Sequence, residues 1–218
     1  MSKFNRNLVS VILLDAYDTV VEIRDKRRPF RQLIQLGASQ GRKPDVNDAA
    51  LLMSQPVNLR QAADLLGIQL GDADYERLYN DLRAEIASIT PFPEALSVLH
   101  SLRNRGFKVA LCSNLVLDYA APISAVLPFV FVAYALSFET RAIKPNRAIY
   151  ASVCQRLQCA PSDVVMIGDS VKADVEGPRE FGMQAFLLDR KLGFRSSDSI
   201  PSLSELLKIL DDSSSTAA

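Results

Sequence analysis

V-I-L-L-D-A-Y-D-T-V-V, from Val11 to Val21, opens with an apolar run that stops abruptly at a carboxylate, Asp15. A short run of this kind, bounded by polar residues, reads as a strand buried on both faces in a parallel sheet covered by helices. Residues 8–14 are therefore read as the first strand. Ligands of open parallel sheets bind in the crevice beyond the carboxyl ends of the strands, which is where Asp15 would lie. A single aspartate there is more often an ordinary turn or cap residue, so the other strand ends decide what it means.

Similar apolar runs occupy residues 107–112, 130–135, 164–167 and 185–188. Helical spacing fills the gaps between them at residues 93–105, 146–157, 171–181 and 203–210, with Gly106 and Gly182 as stop signals. This alternation predicts an α/β fold with a doubly wound parallel sheet, Rossmann-like in outline. The stretch 22–90 departs from it: helical segments at 30–40, 47–54, 59–66 and 74–89 and no convincing strand. It reads as an all-helical insertion closed by Pro91-Phe92-Pro93, so the core comprises 1–21 and 91–218. The C-terminal D-D-S-S-S-T-A-A has no large apolar anchor and is expected to fray. The remaining strand ends are polar in turn: Ser113-Asn114 after the second, Lys144-Pro145 in the loop beyond the third, and Gly168-Asp169-Ser170, with Asp174 shortly after, at the fourth.

Composition narrows the partner. The 218 residues carry 25 Lys+Arg against 25 Asp+Glu, so there is no long-range field to gather a polyanion. A nucleic-acid binder and a polybasic membrane-surface protein are disfavoured, and a small ligand is expected. No apolar run approaches the ~20 residues of a spanning helix. Cys112, Cys154 and Cys159 are neither an even set nor a close C-x-x-C pair, which points to a reducing, cytoplasmic setting. The single His100 lies away from every polar strand end, which excludes chemistry built on a histidine base.

Taken together, these segments resemble the haloacid dehalogenase-like superfamily. Residues 15–20 match its first motif, Ser113 the second, Lys144 the third, and G-D-S-V-K-A-D from Gly168 to Asp174 the fourth, in the right order. The resemblance implies that residues 22–90 form a helical cap over the active site, that Asp15 is the nucleophile, and that the substrate is a small phosphorylated metabolite turned over through an aspartyl-phosphate. Elementary electrostatics agrees. A carboxylate reaches a phosphoryl group only if cations first neutralise the charge between them. Lys144 and Mg²⁺ would do so, with the metal held by the Asp15 and Asp169 side chains and the backbone carbonyl of Tyr17. Ser113, Asn114, Tyr17 and Lys144 are expected to contact the substrate. Asp174, Thr19 and Ser170 are expected to orient these groups from behind.

One position departs from the phosphatase pattern. The second carboxylate usual two residues after the nucleophile is replaced by Tyr17. A phenol of pKa about 10 is a poor base at neutral pH, so general acid–base help worth about 10²–10⁴ in rate is in question. Asp18, the nearest carboxylate, is one residue out of place for the task and reads as a weak substitute or as a turn residue. D-A-Y also resembles the opening of the 2-haloacid dehalogenases, whose halide leaves without a proton and which work without metal. Their position matching Asp169 is typically not acidic. Three further readings stay beside the metal-dependent phosphatase: such a dehalogenase, a weakly catalytic phospho-ligand or protein-binding domain, and phosphonate cleavage through a cap lysine, Lys26 or Lys43. The basic cluster Arg24, Lys26, Arg27, Arg28 and Arg31 reads as a solvated helix face or a grip on an anionic substrate tail.

Overall fold

The computed structural model describes residues 4–190 and 199–212. A 3₁₀ turn, Arg6–Leu8, precedes β1 (Val11–Leu14), and β2 (Val21–Ile23) follows the loop that carries Asp15. Four helices come next: α1 (Pro29–Ser39), α2 (Asp48–Met53), α3 (Leu59–Leu65) and α4 (Asp72–Ala87). The chain returns through β3 (Ile89–Pro91) to α5 (Ala95–Asn104), β4 (Lys108–Ser113), α6 (Ala120–Val126), β5 (Tyr134–Leu136), α7 (Ser137–Thr140) and α8 (Arg147–Leu157). β6 (Val164–Gly168) leads into a π-helical turn, Val171–Glu176, that runs on as α9 (Gly177–Phe181). β7 (Gln184–Leu188), β8 (Ser199–Ile200) and α10 (Leu203–Asp212) complete the described chain.

The main sheet has the order β5-β4-β1-β6-β7-β8, every pairing parallel. β1 lies inside it, with Leu14 opposite both Leu111 of β4 and Ile167 of β6. From β1 the strands are added outward through β4 and β5, and then the chain crosses to β6 on the other side of β1. That reversal puts the binding crevice of a doubly wound sheet at the carboxyl end of β1. All four β1 side chains are buried, and they alternate between two cores. Ile12 and Leu14 pack with Leu99 and Leu102 of α5 and Leu206 of α10, whereas Val11 and Leu13 pack with Ile149, Tyr150 and Val153 of α8. Helices therefore cover both faces, which is why the strands carry unbroken apolar runs and no in/out alternation.

The expected fold class is the one observed, and several boundaries move. Residues 22–90 were expected to hold no strand, yet β2 and β3 pair antiparallel, Val21 opposite Pro91 and Ile23 opposite Ile89. Each is three residues long and proline ends one of them, so neither stands out as a period-2 run. The third strand was expected at 130–135 and forms at 134–136. In the approach to it, Phe129 and Phe131 turn inward and meet edge-to-face at 5.0 Å, while Val130 and Val132 face solvent. The first strand starts at Val11, after the 3₁₀ turn, and the helix expected over 171–181 divides into the π turn and α9. Of the tail expected to fray, Asp211 and Asp212 belong to α10 and the remainder lies outside the described residues. No helix among the described residues is long and apolar enough to cross a membrane.

Candidate active site

Asp15 follows the last paired residue of β1, and its amide donates to the Ile167 carbonyl at 2.9 Å, which continues the β1–β6 ladder by one step. Ser113 ends β4 on one side and Gly168 ends β6 on the other, so the first, second and fourth sequence motifs meet at neighbouring strand ends. Beyond Asp15 the chain turns back sharply. The Val20 and Val21 amides both donate to the Ala16 carbonyl (2.8 and 3.0 Å), and the Asp18 amide donates to the Val21 carbonyl (2.8 Å). Asp18 takes a left-handed φ of 57°, which aspartate tolerates better than most residues. Its exposed carboxylate pairs with Lys26 at 3.1 Å. The carbonyl of Tyr17 takes no part in these turn bonds.

Lys144 is the centre of the constellation. Its side chain is buried, with Nζ 2.8 Å from Asp15 Oδ1 and 2.6 Å from Asp174 Oδ1. Asn114 positions it: the side-chain amide donates to the Lys144 carbonyl at 3.0 Å, and its Oδ1 accepts the Lys144 amide at 2.7 Å. Both ends of the Asn114 side-chain amide thus grip the backbone of residue 144. Asp174 is fixed through its other oxygen, Oδ2, which accepts the Ser170 amide at 3.0 Å. Ser170 Oγ in turn caps the π turn by accepting the Ala173 amide at 3.3 Å. The chain at 168 must be glycine for this packing, since a Cβ there would lie 2.3 Å from Asp174 Cγ.

The charges are strongly coupled. Burial alone would lower the Lys144 pKa, but the adjoining Asp15 and Asp174 carboxylates outweigh it and hold the amine above its ordinary value, so it stays an ammonium. Burial raises Asp174, with Lys144 opposing that and Asp15 adding to it. Asp169, whose side chain reaches solvent, is also raised, first by partial burial and then by repulsion from Asp15 and Asp18. Cys112, buried beneath the site, is pushed up to about 12 by burial and is inert as a nucleophile. Asp15, Asp169 and Asp174 each offer a carboxylate oxygen, and these atoms all lie within 4.8 Å of one another. Three hard oxygen donors sharing one ammonium leave a net negative pocket, a donor set that suits a small divalent cation.

Two expected residues, Tyr17 and Thr19, form no side-chain hydrogen bond to these carboxylates or to Lys144 among the described residues. The Tyr17 hydroxyl donates to the Tyr119 carbonyl at 2.7 Å, and the two rings meet edge-to-face at 5.8 Å. Burial and then the nearby Glu85 carboxylate raise the Tyr17 pKa well above that of a free phenol. Its phenol is therefore engaged by a protein partner. Thr19 is fully buried, and its Oγ1 has no hydrogen-bond partner among the described residues. Ser113 is buried at the end of β4. In the basic cluster, Arg24 pairs with Glu22, Lys26 with Asp18, and Arg27 with Asp25 and Asp81, so these three cations are largely spent on local ion pairs. His100, on α5, packs against Phe129 at 5.5 Å.

Sequence reasoning missed the residues that brace this centre. Tyr119 Oη donates to Glu85 Oε1 at 3.0 Å, and Glu85 Oε2 accepts the Arg28 amide at 2.5 Å, so a buried carboxylate of α4 joins the Tyr17 anchor. Arg190, beyond β7, binds the Thr19 carbonyl at 2.8 Å. No local pattern marks Glu85 or Tyr119. Arg190 does follow the fifth apolar run and could have been reached by the same strand-end rule.

A model of the haloacid dehalogenase-like hydrolases matches residues 9–182, a span that contains Asp15, Ser113, Asn114, Lys144, Asp169 and Asp174. The chain is a haloacid dehalogenase-like hydrolase. The glyceraldehyde 3-phosphate phosphatase of Methanothermobacter thermautotrophicus is 26% identical to this hydrolase over 130 residues, covering 59% of the chain and 58% of the relative. The (S)-2-haloacid dehalogenase 2 of Pseudomonas sp. is 28% identical over 175 residues, covering 73% of the chain and 75% of the relative. The chain spans about half the length of the curated phosphatases it matches. Among solved structures, a HAD phosphatase from Thermococcus onnurineus superposes with a TM-score of 0.65 at 22% identity, covering 93% of this chain and 98% of that one, which shows a shared fold.

Proposed function

We propose that this hydrolase is a Mg²⁺-dependent phosphatase of small phosphorylated metabolites, with Asp15 as nucleophile and residues 22–90 as the cap over its site. The observation that carries this reading is the trio Asp15, Asp169 and Asp174, three carboxylates with ligand atoms within 4.8 Å of one another beside a single ammonium. Asp15, Asp169 and the Tyr17 carbonyl would hold the ion, with Asp174 behind them. Bound there, Mg²⁺ would offset the carboxylate charge and draw electron density from the phosphoryl oxygens. Lys144 holds Asp15 Oδ1, which leaves Oδ2 to attack phosphorus as the bond to the leaving oxygen breaks. Ser113 and Lys144 steady the phosphoryl group, and water then attacks the aspartyl-phosphate to release phosphate and restore the carboxylate. Because the Tyr17 phenol neither ionises readily nor faces free, the departing oxygen takes its proton from solvent. Substrates with good leaving groups, aryl and acyl phosphates, are therefore favoured over sugar phosphates.

Contacts from 22–90 to the rest of the chain support the cap assignment: Ser137 Oγ donates to the Met53 carbonyl at 2.6 Å, and Tyr119 Oη to Glu85 at 3.0 Å. The relatives that act on phosphate monoesters support the substrate class. Three cysteines, an odd number without close pairing in sequence, favour a reducing compartment, and we place the protein in the cytoplasm. The second reading is a metal-independent 2-haloacid dehalogenase, favoured by D-A-Y and by the Pseudomonas relative's longer alignment. Parallel assays of an aryl phosphate and a 2-haloacid, each with Mg²⁺ and with chelator, separate the two, with Asp15→Asn as the inactive control. Phosphate release that chelator abolishes is expected. Chelator-resistant halide release would overturn the phosphatase in favour of the dehalogenase, and silence on both would overturn the enzyme reading.

A further inference from the structure

Arg190 stands two residues past β7, at the carboxyl edge of the sheet, and none of the four motif segments includes it. Its guanidinium meets three residues on two separate pieces of chain. Nη2 donates to the Thr19 carbonyl at 2.8 Å, Nη1 donates to Glu94 Oε1 at 2.7 Å, and Cζ lies 3.6 Å from the centroid of the Phe92 ring. Thr19 sits in the loop of Asp15 just before β2, whereas Phe92 and Glu94 follow β3. These are the core-side ends of the two strands that lead into and out of α1–α4. The Phe92 amide also donates to the Val20 carbonyl at 3.1 Å, so the two ends are stitched where the guanidinium lies over them.

The chemistry singles out arginine. Only a planar fork can bond a carbonyl and a carboxylate in two directions while laying its face on an aromatic ring; an ammonium can satisfy one of these well. The side chain is 20% exposed, as is that of Glu94, so the pair is partly withdrawn from water, unlike a rim ion pair of little worth. Partial burial alone would raise Glu94, but the bond and charge of Arg190, helped by backbone amides, outweigh it and hold that carboxyl below its usual value. The Thr19 bond falls within the loop whose own amide bonds, from Val20 and Val21 to Ala16, shape the turn after Asp15.

We propose that Arg190 is a positioning residue: through Thr19, Glu94 and Phe92 it ties the nucleophile loop and both crossing strands to the end of β7, and so sets where Asp15 stands relative to Lys144. The role rests on Asp15 being the reacting carboxylate and applies to either reaction proposed there. Amide hydrogen exchange of the 218-residue chain tests it without substrate. Arg190→Met is expected to speed exchange across residues 17–21 and at Phe92 by about 10- to 100-fold, the weight of a lost charge-assisted hydrogen bond, with β4 and β6 unchanged. Arg190→Lys keeps the charge beside Glu94 and recovers thermal stability, yet leaves most of that local acceleration. In turnover, kcat falls while KM stays near the parent value, since the phosphate contacts of Ser113 and Lys144 are untouched. Acceleration spread evenly over the sheet would reduce Arg190 to a general stabiliser and overturn the proposal, as would unchanged exchange at 17–21, or local acceleration with unaltered kcat. A parent inactive on phosphate esters would sink the phosphatase reading, and the exchange pattern would still decide whether Arg190 holds the loop.

Discussion

Replacing Lys144 by methionine removes the amine and keeps most of the side chain's length and bulk, so it isolates the charge. The ammonium contacts Asp15 Oδ1 at 2.8 Å and Asp174 Oδ1 at 2.6 Å, with 2% of the lysine side chain exposed. Removing one partner of a buried pair costs about 3–5 kcal/mol, because the remaining charge is stranded. Here the stranded carboxylates have an escape, since either can take up a proton. Against an unfolded pKa near 3.9 and at 1.36 kcal/mol per unit, protonation costs about 5 kcal/mol at pH 7.5 and about 1.5 kcal/mol at pH 5. The sign follows: the variant's carboxyl has a raised folded-state pKa, so its stability recovers as pH falls and is lost as pH rises. Urea unfolding of metal-free Lys144→Met and parent, followed by far-ultraviolet circular dichroism because the chain has no tryptophan, should show a gap of about 3–5 kcal/mol at pH 7.5 that narrows to about 1.5 kcal/mol or less at pH 5. Added Mg²⁺ should narrow it at pH 7.5 as well. A gap of equal size at both pH values would mean that the amine contributes packing alone, and the electrostatic account of the site would fall.

Asp169→Asn removes an anion whose ionisation burial and the charges of Asp15 and Asp18 oppose, so the metal-free variant should melt above the parent at pH 7.5. That advantage should shrink as pH falls, because the parent's Asp169 takes up its proton sooner than an ordinary aspartate, and Mg²⁺ should no longer raise the melting temperature of the variant; scanning fluorimetry reads both. Tyr17→Asp supplies the absent acid, so the ratio of alkyl to aryl phosphate turnover should climb, with about 10²–10⁴ as the ceiling of such help. An unchanged ratio would place the slow step elsewhere. Gly168→Ala would set a methyl 2.3 Å from Asp174 Cγ, so the carboxylate must move off Lys144. The expected loss is about 1–3 kcal/mol by denaturation, together with a weaker Mg²⁺-induced shift.

The parallel sheet was legible because its strands are buried on both faces. Val11–Leu14 and Val164–Gly168 have no exposed position to break the apolar run, and such runs locate themselves to within a few residues. What escaped was structure stabilised by distant partners. β2 and β3 exist as a pair whose residues 21 and 91 meet across the whole helical segment, and three residues with a terminal proline carry too little pattern to be read alone. The site divides in the same way. Asp15, Lys144, Asp169 and Asp174 sit where strand-end chemistry predicts them, and they converge. Asn114 sits there too, but the same amide that could meet a phosphoryl oxygen serves equally to hold the Lys144 backbone, and residue type does not distinguish the two uses.

Tyr17 shows where that ambiguity matters for the reaction. From the sequence it is a phenol in the place of an acid. In the folded chain its hydroxyl is anchored on the Tyr119 carbonyl, and the Tyr119 hydroxyl reaches the buried Glu85 of α4, so the position belongs to the contact between the helical segment and the loop after β4. A residue spent on that contact neither helps an alkoxide leave nor hinders a halide, and it cannot discriminate between the two proposed reactions. The discrimination passes to Asp169. A metal-free nucleophile gains nothing from another carboxylate within 4.8 Å, whose ionisation the nucleophile itself opposes. With a divalent cation between them the same proximity becomes favourable, because each carboxylate then faces more positive than negative charge. The close approach of Asp15, Asp169 and Asp174 is therefore the strongest physical argument for the metal-dependent reaction, and Asp169→Asn is the substitution whose outcome the two readings cannot share.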